Sequence, residues 1–434
     1  MTTAPAPVPG VMGPSAVVRT VALAGDGRSL FEHLPGPTSV AWVTGSGPDQ
    51  TGLVGWGEAA RYEACGPERF SRAQRWWAQW SADVELQDEV DGPGTGPVAF
   101  ASFTFDPTDP TPSVVTVPEV LLVRRDGRTW LSVVGADRRS SAALLDRALD
   151  DLGRPVAVPD APRDVRYAEG SLTVPQWQGA VAAAVRRITD GELDKVVLAR
   201  DVSVECSTPV DVRYLLHRLA FSYPSCWTFV VDGLVGSTPE MLVRRLGSDV
   251  TSRVLAGTMR RSSDSSRDAT LASALLASAK DHQEHEYAVR SVAAALAAHC
   301  TDLAVPTSPS LLRLANVQHL ATDISGELAD GSSVLALAAS LHPTAAVCGT
   351  PTERALEVIR ELEGMDRGRY AGPVGWFDAR GDGELGIALR CGALSGSSVR
   401  LFAGCGLVAG SDPEAELAES QAKLMAMREA LESA

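Results

Sequence analysis

The chain has 434 residues, with 39 Lys and Arg against 54 Asp and Glu, for a formal charge of −15. That balance disfavours nucleic acids and anionic membrane surfaces as partners, because both are polyanions. With 45% hydrophobic and 21% charged residues the sequence excludes a largely disordered chain, and its length admits either two or three domains or one large α/β unit.

Residues 1–15 are rich in Pro, Ala and Gly and read as a flexible tail. They lack the basic start and continuous apolar core of a signal peptide. No apolar run approaches the ~18 residues that a membrane span needs. The cysteines (65, 206, 226, 300, 348, 391 and 405) are odd in number and form no CxxC pair. They fit a reducing compartment better than a disulfide framework and show no zinc-ligand spacing. These features predict a soluble, cytoplasmic protein.

From 16 to 158, strand-like runs at 40–44, 98–103, 120–123 and 130–134 are punctuated by Gly, Pro and Asp, predicting a sheet-rich half. A Pro-, Asp- and Arg-rich linker at 153–170 is the best internal boundary, and beyond it helices and strands alternate. Thr173 is a ready N-cap with Pro175 in the first turn, so a helix is expected to Ile188, stopped by Asp190-Gly191. Next come a strand at 195–204, a helix at 210–221 and a strand at 227–231. The longest helical pattern covers 269–299. Helices follow at 334–341, 352–362 and 414–431, and strands at 374–377, 384–394 and 399–408. There is no internal repeat, and the short linker predicts that 16–434 packs as a single unit, with its motifs in 171–434.

Two acidic pairs stand out: Asp281 with Glu284, and Glu416 with Glu419. Spacing of i,i+3 puts each pair on one helical face. Brought together they make an all-oxygen site for Mg²⁺; left apart they are solvated faces beside Lys280 and Lys423. Lys195 opens an apolar strand, where burial lowers an ammonium pKa and makes a general base, although a strand-end lysine also snorkels to solvent. Glu240 follows Gly-Ser-Thr-Pro; partly buried, it could stay protonated as a general acid, or it could pair with Arg244 or Arg245 at a turn. Gly257 and Thr258, and Gly404 with Gly406, lie in glycine clusters that let backbone N–H groups approach a carboxylate, with Arg390 on a strand as a bidentate partner. Each cluster also reads as a turn or bulge. His319 and His342 default to satisfied structural roles, and His282 with His285 lacks a third zinc ligand. No dinucleotide fingerprint or P-loop is present.

Together these segments resemble the chorismate-utilising enzymes: isochorismate, salicylate, anthranilate and aminodeoxychorismate synthases. The resemblance is carried by Lys195-Val-Val-Leu-Ala-Arg200, Gly236-Ser-Thr-Pro-Glu240, Leu255-Ala-Gly-Thr258, Lys280-Asp-His-Gln-Glu-His285 and Val317-Gln-His-Leu320. It continues through Leu341-His-Pro-Thr344, Tyr370-Ala-Gly-Pro-Val-Gly-Trp376, Leu389-Arg-Cys391, Ala403-Gly-Cys-Gly406 and Glu419-Ser-Gln-Ala-Lys423. These strings stand in the family's order from about Ser171 onward; the N-terminal half matches loosely.

The resemblance implies an α/β (α+β) fold with a large central β-sandwich, helices packed outside and the site between the sheets. It implies chorismate as substrate and Mg²⁺ as cofactor, held by Glu284 and Glu419, with Asp281 and Glu416 acting through metal-bound water. Arg390 and Tyr370 would meet the enolpyruvyl carboxylate, while Gly257, Thr258, Gly404, Gly406 and Lys423 would line the site and His319 would hold the ring pocket. A chain of charge −15 could thus bind a dianion through one metal ion, one Arg, one Lys and backbone donors.

Water addition at C2 with loss of the C4 hydroxyl needs a base and an acid, supplied by Lys195 and Glu240. Family members that use ammonia carry another residue at the Lys195 place, and those forming an amine adduct carry a lysine where this chain has Ala256. The expected activity is therefore isochorismate synthase; the alternatives are salicylate synthase, which goes on to eliminate pyruvate, and a silent chorismate-binding protein. Ala346 resembles the isochorismate synthases, whereas Tyr370 and Leu389 are shared with the salicylate synthases. A monomer is expected.

Overall fold

A computed structural model describes residues 16–432, apart from 155 and 158. The expected tail, 1–15, lies outside the described residues. Alternating apolar residues build two large, mostly antiparallel sheets. One has thirteen strands and includes Lys195–Glu205, Ser398–Leu407, Cys391–Ser395, Leu234–Thr238 and Trp227–Val231. The other has ten and includes Val317–Leu328, Asp249–Arg260, Met241–Leu246, Gly383–Ile387 and Pro373–Asp378.

Strands from both sides of the 153–170 stretch share each sheet. Ser39–Thr44 pairs with Trp227–Val231, and Val98–Ser102 pairs with Pro373–Asp378. The sheets face one another across a continuous apolar core that holds Trp42, Phe229, Val243, Trp376 and Leu385. Trp42 crosses this layer to donate its Nε1 to Glu384 at 2.8 Å. A second core, with Leu216, Leu401, Leu424 and Met427, seats outer helices on the thirteen-stranded sheet. The fold is α+β, a sandwich with helices outside.

Local chemistry sets several helices where the sequence predicts them. Thr173 caps Val174–Thr189 in a capping box with Gln176, and Asp190 closes it. Val334–Leu341 and Thr352–Leu362 have the expected bounds.

Other expectations need correction. The single helix at 269–299 is two, Ser265–Ala277 and Ala279–Leu296. Ser278 is extended at the break and caps the second helix through Asp281 N. The single strand at 384–394 is also two, and Arg390, expected on a strand, sits between them at φ +50°. The sheet-rich half also carries helices Arg69–Ala82 and Arg138–Leu152. No helix among the described residues is long and apolar enough to cross a membrane.

Candidate active site

A narrow cavity of about 50 Å³ opens between the sheets. Its lining includes Glu240, Gly257, Thr258, Glu284, His319, Ala346, Tyr370, Leu389, Arg390, Gly404, Gly406 and Lys423.

Lys195 stands at the cavity's edge, fully buried. Its Nζ is 3.4 Å from both Glu284 Oε1 and the Glu284 carbonyl oxygen. Burial lowers the Lys195 pKa, against the opposing charges of Glu284 and Glu240. Glu240 is buried too, which pushes its carboxyl up to about 8 despite the Leu255 N–H and nearby Lys195 and Arg390. Its turn alternatives are taken elsewhere: Arg244 and Arg245 lie against Glu384 and Asp382. Lys195 is thus biased toward the neutral amine and Glu240 toward the neutral acid, as base and acid chemistry requires.

The glycines let neighbouring side chains approach closely. A Cβ on Gly406 would lie 1.9 Å from Glu284 Oε1 and 3.2 Å from Lys195 Cε. Gly257 has φ +78° at a bulge between Ala256 and Thr258, and a Cβ there would stand 3.0 Å from Asp281 Cβ. A Cβ on Gly404 would meet the Tyr370 hydroxyl at 3.0 Å.

His319 bridges Thr258 Oγ1 at 3.1 Å and Arg390 Nη2 at 2.9 Å. A guanidinium only donates, so His319 Nε2 accepts and Nδ1 carries the proton toward Thr258. Burial holds His319 well below the usual imidazole range, with Arg390 adding to the effect. Lys423 donates to the Gly404 carbonyl at 2.9 Å and pairs with Glu419 at 2.6 Å. Tyr370 stacks on Phe402 with ring centroids 4.9 Å apart. Arg390 keeps its left-handed backbone while its carbonyl accepts from Ser237 N; strain of this kind concentrates at functional sites.

The acidic pairs reach this region from two helices. Glu416 is buried and bonded to Lys280 at 2.7 Å. Burial, with the neighbouring Glu419 charge, pushes Glu416 up to about 7. Cys405 Sγ and a carboxylate oxygen from each of Glu416 and Glu419 lie within 4.8 Å of one another. Asp281 sits in the first turn of its helix behind Gly257, outside the cavity lining. Sequence reading passed over Cys405, Val347, Ala371 and, above all, Arg367, which also lines the cavity.

The chorismate binding enzyme family matches residues 31–432. This chain belongs to that family. Isochorismate synthase MenF of Bacillus subtilis (strain 168) is 32% identical over 402 residues, covering 87% of this chain and 85% of that protein. A putative isochorismate synthase MenF of Mycobacterium tuberculosis (strain H37Rv) is 40% identical over 386 residues, covering 85% of this chain and 95% of the relative. Among solved structures, MenF, the menaquinone-specific isochorismate synthase from Escherichia coli, superposes with a TM-score of 0.78 at 26% identity, covering 97% of this chain and 95% of the other.

Proposed function

We propose that this chain is an isochorismate synthase, an isomerase that adds water at C2 of chorismate while the C4 hydroxyl leaves. The observation that carries the reading is the buried pair of Lys195 and Glu240, each displaced by burial toward its neutral form, in a chain whose relatives over most of its length are named isochorismate synthases.

Lys195 takes a proton from the attacking water, and the new C–O bond forms at C2. The ring double bonds shift, and the C4–O bond breaks as Glu240 protonates the departing hydroxyl. One water enters and one leaves, so substrate and product are isomers. Arg390 offers its guanidinium to a substrate carboxylate, and His319 fixes its direction. Lys423 is anchored by Glu419 and Gly404 at the same cavity.

The carboxylate oxygens of Glu284, Glu416 and Glu419 are donors that suit a hard divalent cation, although Glu416 and Glu419 cluster with the Cys405 thiol rather than with Glu284, and Lys195, Lys280 and Lys423 pair with the three acids in this structure. Glu284 and Glu419 are the residues that would hold Mg²⁺, with Asp281 and Glu416 as neighbouring acids. When bound, the ion supplies concentrated positive charge for the ring carboxylate.

Incubation with chorismate and Mg²⁺, followed by chromatography, tests the reading. Accumulating isochorismate is expected; unchanged chorismate would overturn it.

A further inference from the structure

Glu363 and Arg367 form an ion pair whose side chains are only 1% and 2% exposed. Taking two charges out of water is costly unless their hydrogen-bonding capacity is filled, and here it is filled largely by backbone. Arg367 Nε donates to Glu363 Oε2 at 2.9 Å, Nη1 to the Val347 carbonyl at 2.9 Å and Nη2 to the Val197 carbonyl at 2.8 Å. Nη2 also contacts Glu363 Oε1, which accepts from Ala199 N at 2.7 Å. Val197 N in turn donates to the Cys348 carbonyl at 2.7 Å. The guanidinium lies 4.1 Å from the centroid of the Phe105 ring.

The pair therefore ties three segments together. One is the turn that leads into Tyr370, another is the loop that carries Ala346, and the third is the strand that Lys195 begins. Arg367 also forms a wall between the cavity and an outer cleft of about 730 Å³. Its donors are committed to Glu363 and to two carbonyls, so it is poorly placed to serve as a spare cation for the substrate.

We propose that the Glu363–Arg367 pair is a positioning device that fixes the loop carrying Ala346 and Val347 relative to the strand that Lys195 begins, and so holds the cavity wall in register with the proposed base. This rests on the isochorismate reading above. The fork geometry of a guanidinium holds two carbonyls and a carboxylate in fixed directions, which an ammonium cannot do. A shift of ~1 Å at a reacting centre can cost ~100-fold in rate.

Two variants test this. Arg367→Lys keeps the charge beside Glu363 but loses the fork. The double variant Glu363→Leu/Arg367→Met removes both charges, a change that is often neutral for stability when the packing is good. The expected result in folded variants is a kcat reduced by about tenfold or more with KM changed less. A folded variant with wild-type kcat overturns the proposal, as does a loss carried by KM with kcat unchanged, and failure of both variants to fold assigns the pair to stability alone and overturns it too. If the wild-type enzyme itself makes no isochorismate, it is the functional reading that has failed.

Discussion

Lys195 Nζ lies 3.4 Å from Glu284 Oε1, so the proposed base and a proposed metal ligand are in direct contact. Burial favours the neutral amine and Glu284 opposes it. A cation drawing on Glu284 weakens that opposition, so the same carboxylate links metal binding to the readiness of the base. Lys195→Gln leaves a polar group of similar length without basicity. Turnover is expected to fall by at least ~100-fold, while chorismate binding measured by calorimetry persists. Near-normal turnover would remove Lys195 from the mechanism.

Glu240 makes a prediction about pH. Its folded pKa of about 8 lies above the ordinary 4.5, so the folded state holds this proton more tightly than the unfolded chain does. The resulting stability is complete below about pH 4.5 and is lost as the pH rises toward 8. Glu240→Gln cannot titrate. It should abolish turnover, flatten the decline in Tm between those limits and leave the variant more stable at pH 8, by on the order of a few kcal/mol. Parallel melting curves for the two proteins across this range would contradict a buried neutral carboxyl.

Gly406 offers a test that removes no functional group. The added methyl of Gly406→Ala would collide with Glu284 Oε1 and must displace that carboxylate from its place beside Lys195. Expected outcomes are a weakened Mg²⁺ response and a large loss of kcat with little change in Tm. An active variant with unaltered Mg²⁺ titration would show that Glu284 works from another position.

The metal assignment has its own measurement. Strong chelation should silence the enzyme, with recovery on adding Mg²⁺. Glu419→Ala should raise the Mg²⁺ concentration needed for half activity, because an ion with few protein ligands cannot spare one. Loss of Glu419 also unpairs Lys423, so chorismate binding should weaken in parallel. Activity that persists in chelator would rule the site out.

Much of this was legible where local chemistry decides. The Thr173 cap and the 334–341 and 352–362 helices follow from caps and periodicity. The breaks at Ser278 and Arg390 do not. At Ser278 one side chain caps a new helix inside an Ala-rich run, and at Arg390 the backbone turns left-handed between strands of different sheets. The cavity lining was largely readable through family strings. Glu363 and Arg367 were not, because Glu-x-x-x-Arg looks like an ordinary surface pair on a helix. Its carbonyl partners stand 20 and 170 positions away, and only the fold brings them together.

Ala346 lines the cavity beside Val347, and we propose that it governs product choice. Elimination requires the enolpyruvyl group to fold so that C2–H reaches its terminal carbon, and the shape of the wall selects that pose. A small apolar side chain leaves the group unconstrained, whereas the polar threonine that salicylate synthases tend to carry at this place can hold it by a hydrogen bond. Tyr370 and Leu389 are already shared with those enzymes, so one substitution changes the wall while the rest of the cavity stays. Ala346→Thr should therefore raise the fraction of chorismate converted to salicylate and pyruvate, with isochorismate as a transient and Mg²⁺ dependence unchanged. Following all three products by chromatography over time checks this. An unchanged product ratio in a folded, active variant would move the control of partition away from this position. If instead the wild-type enzyme releases salicylate and pyruvate as fast as it consumes chorismate, with no isochorismate detected, it is a salicylate synthase.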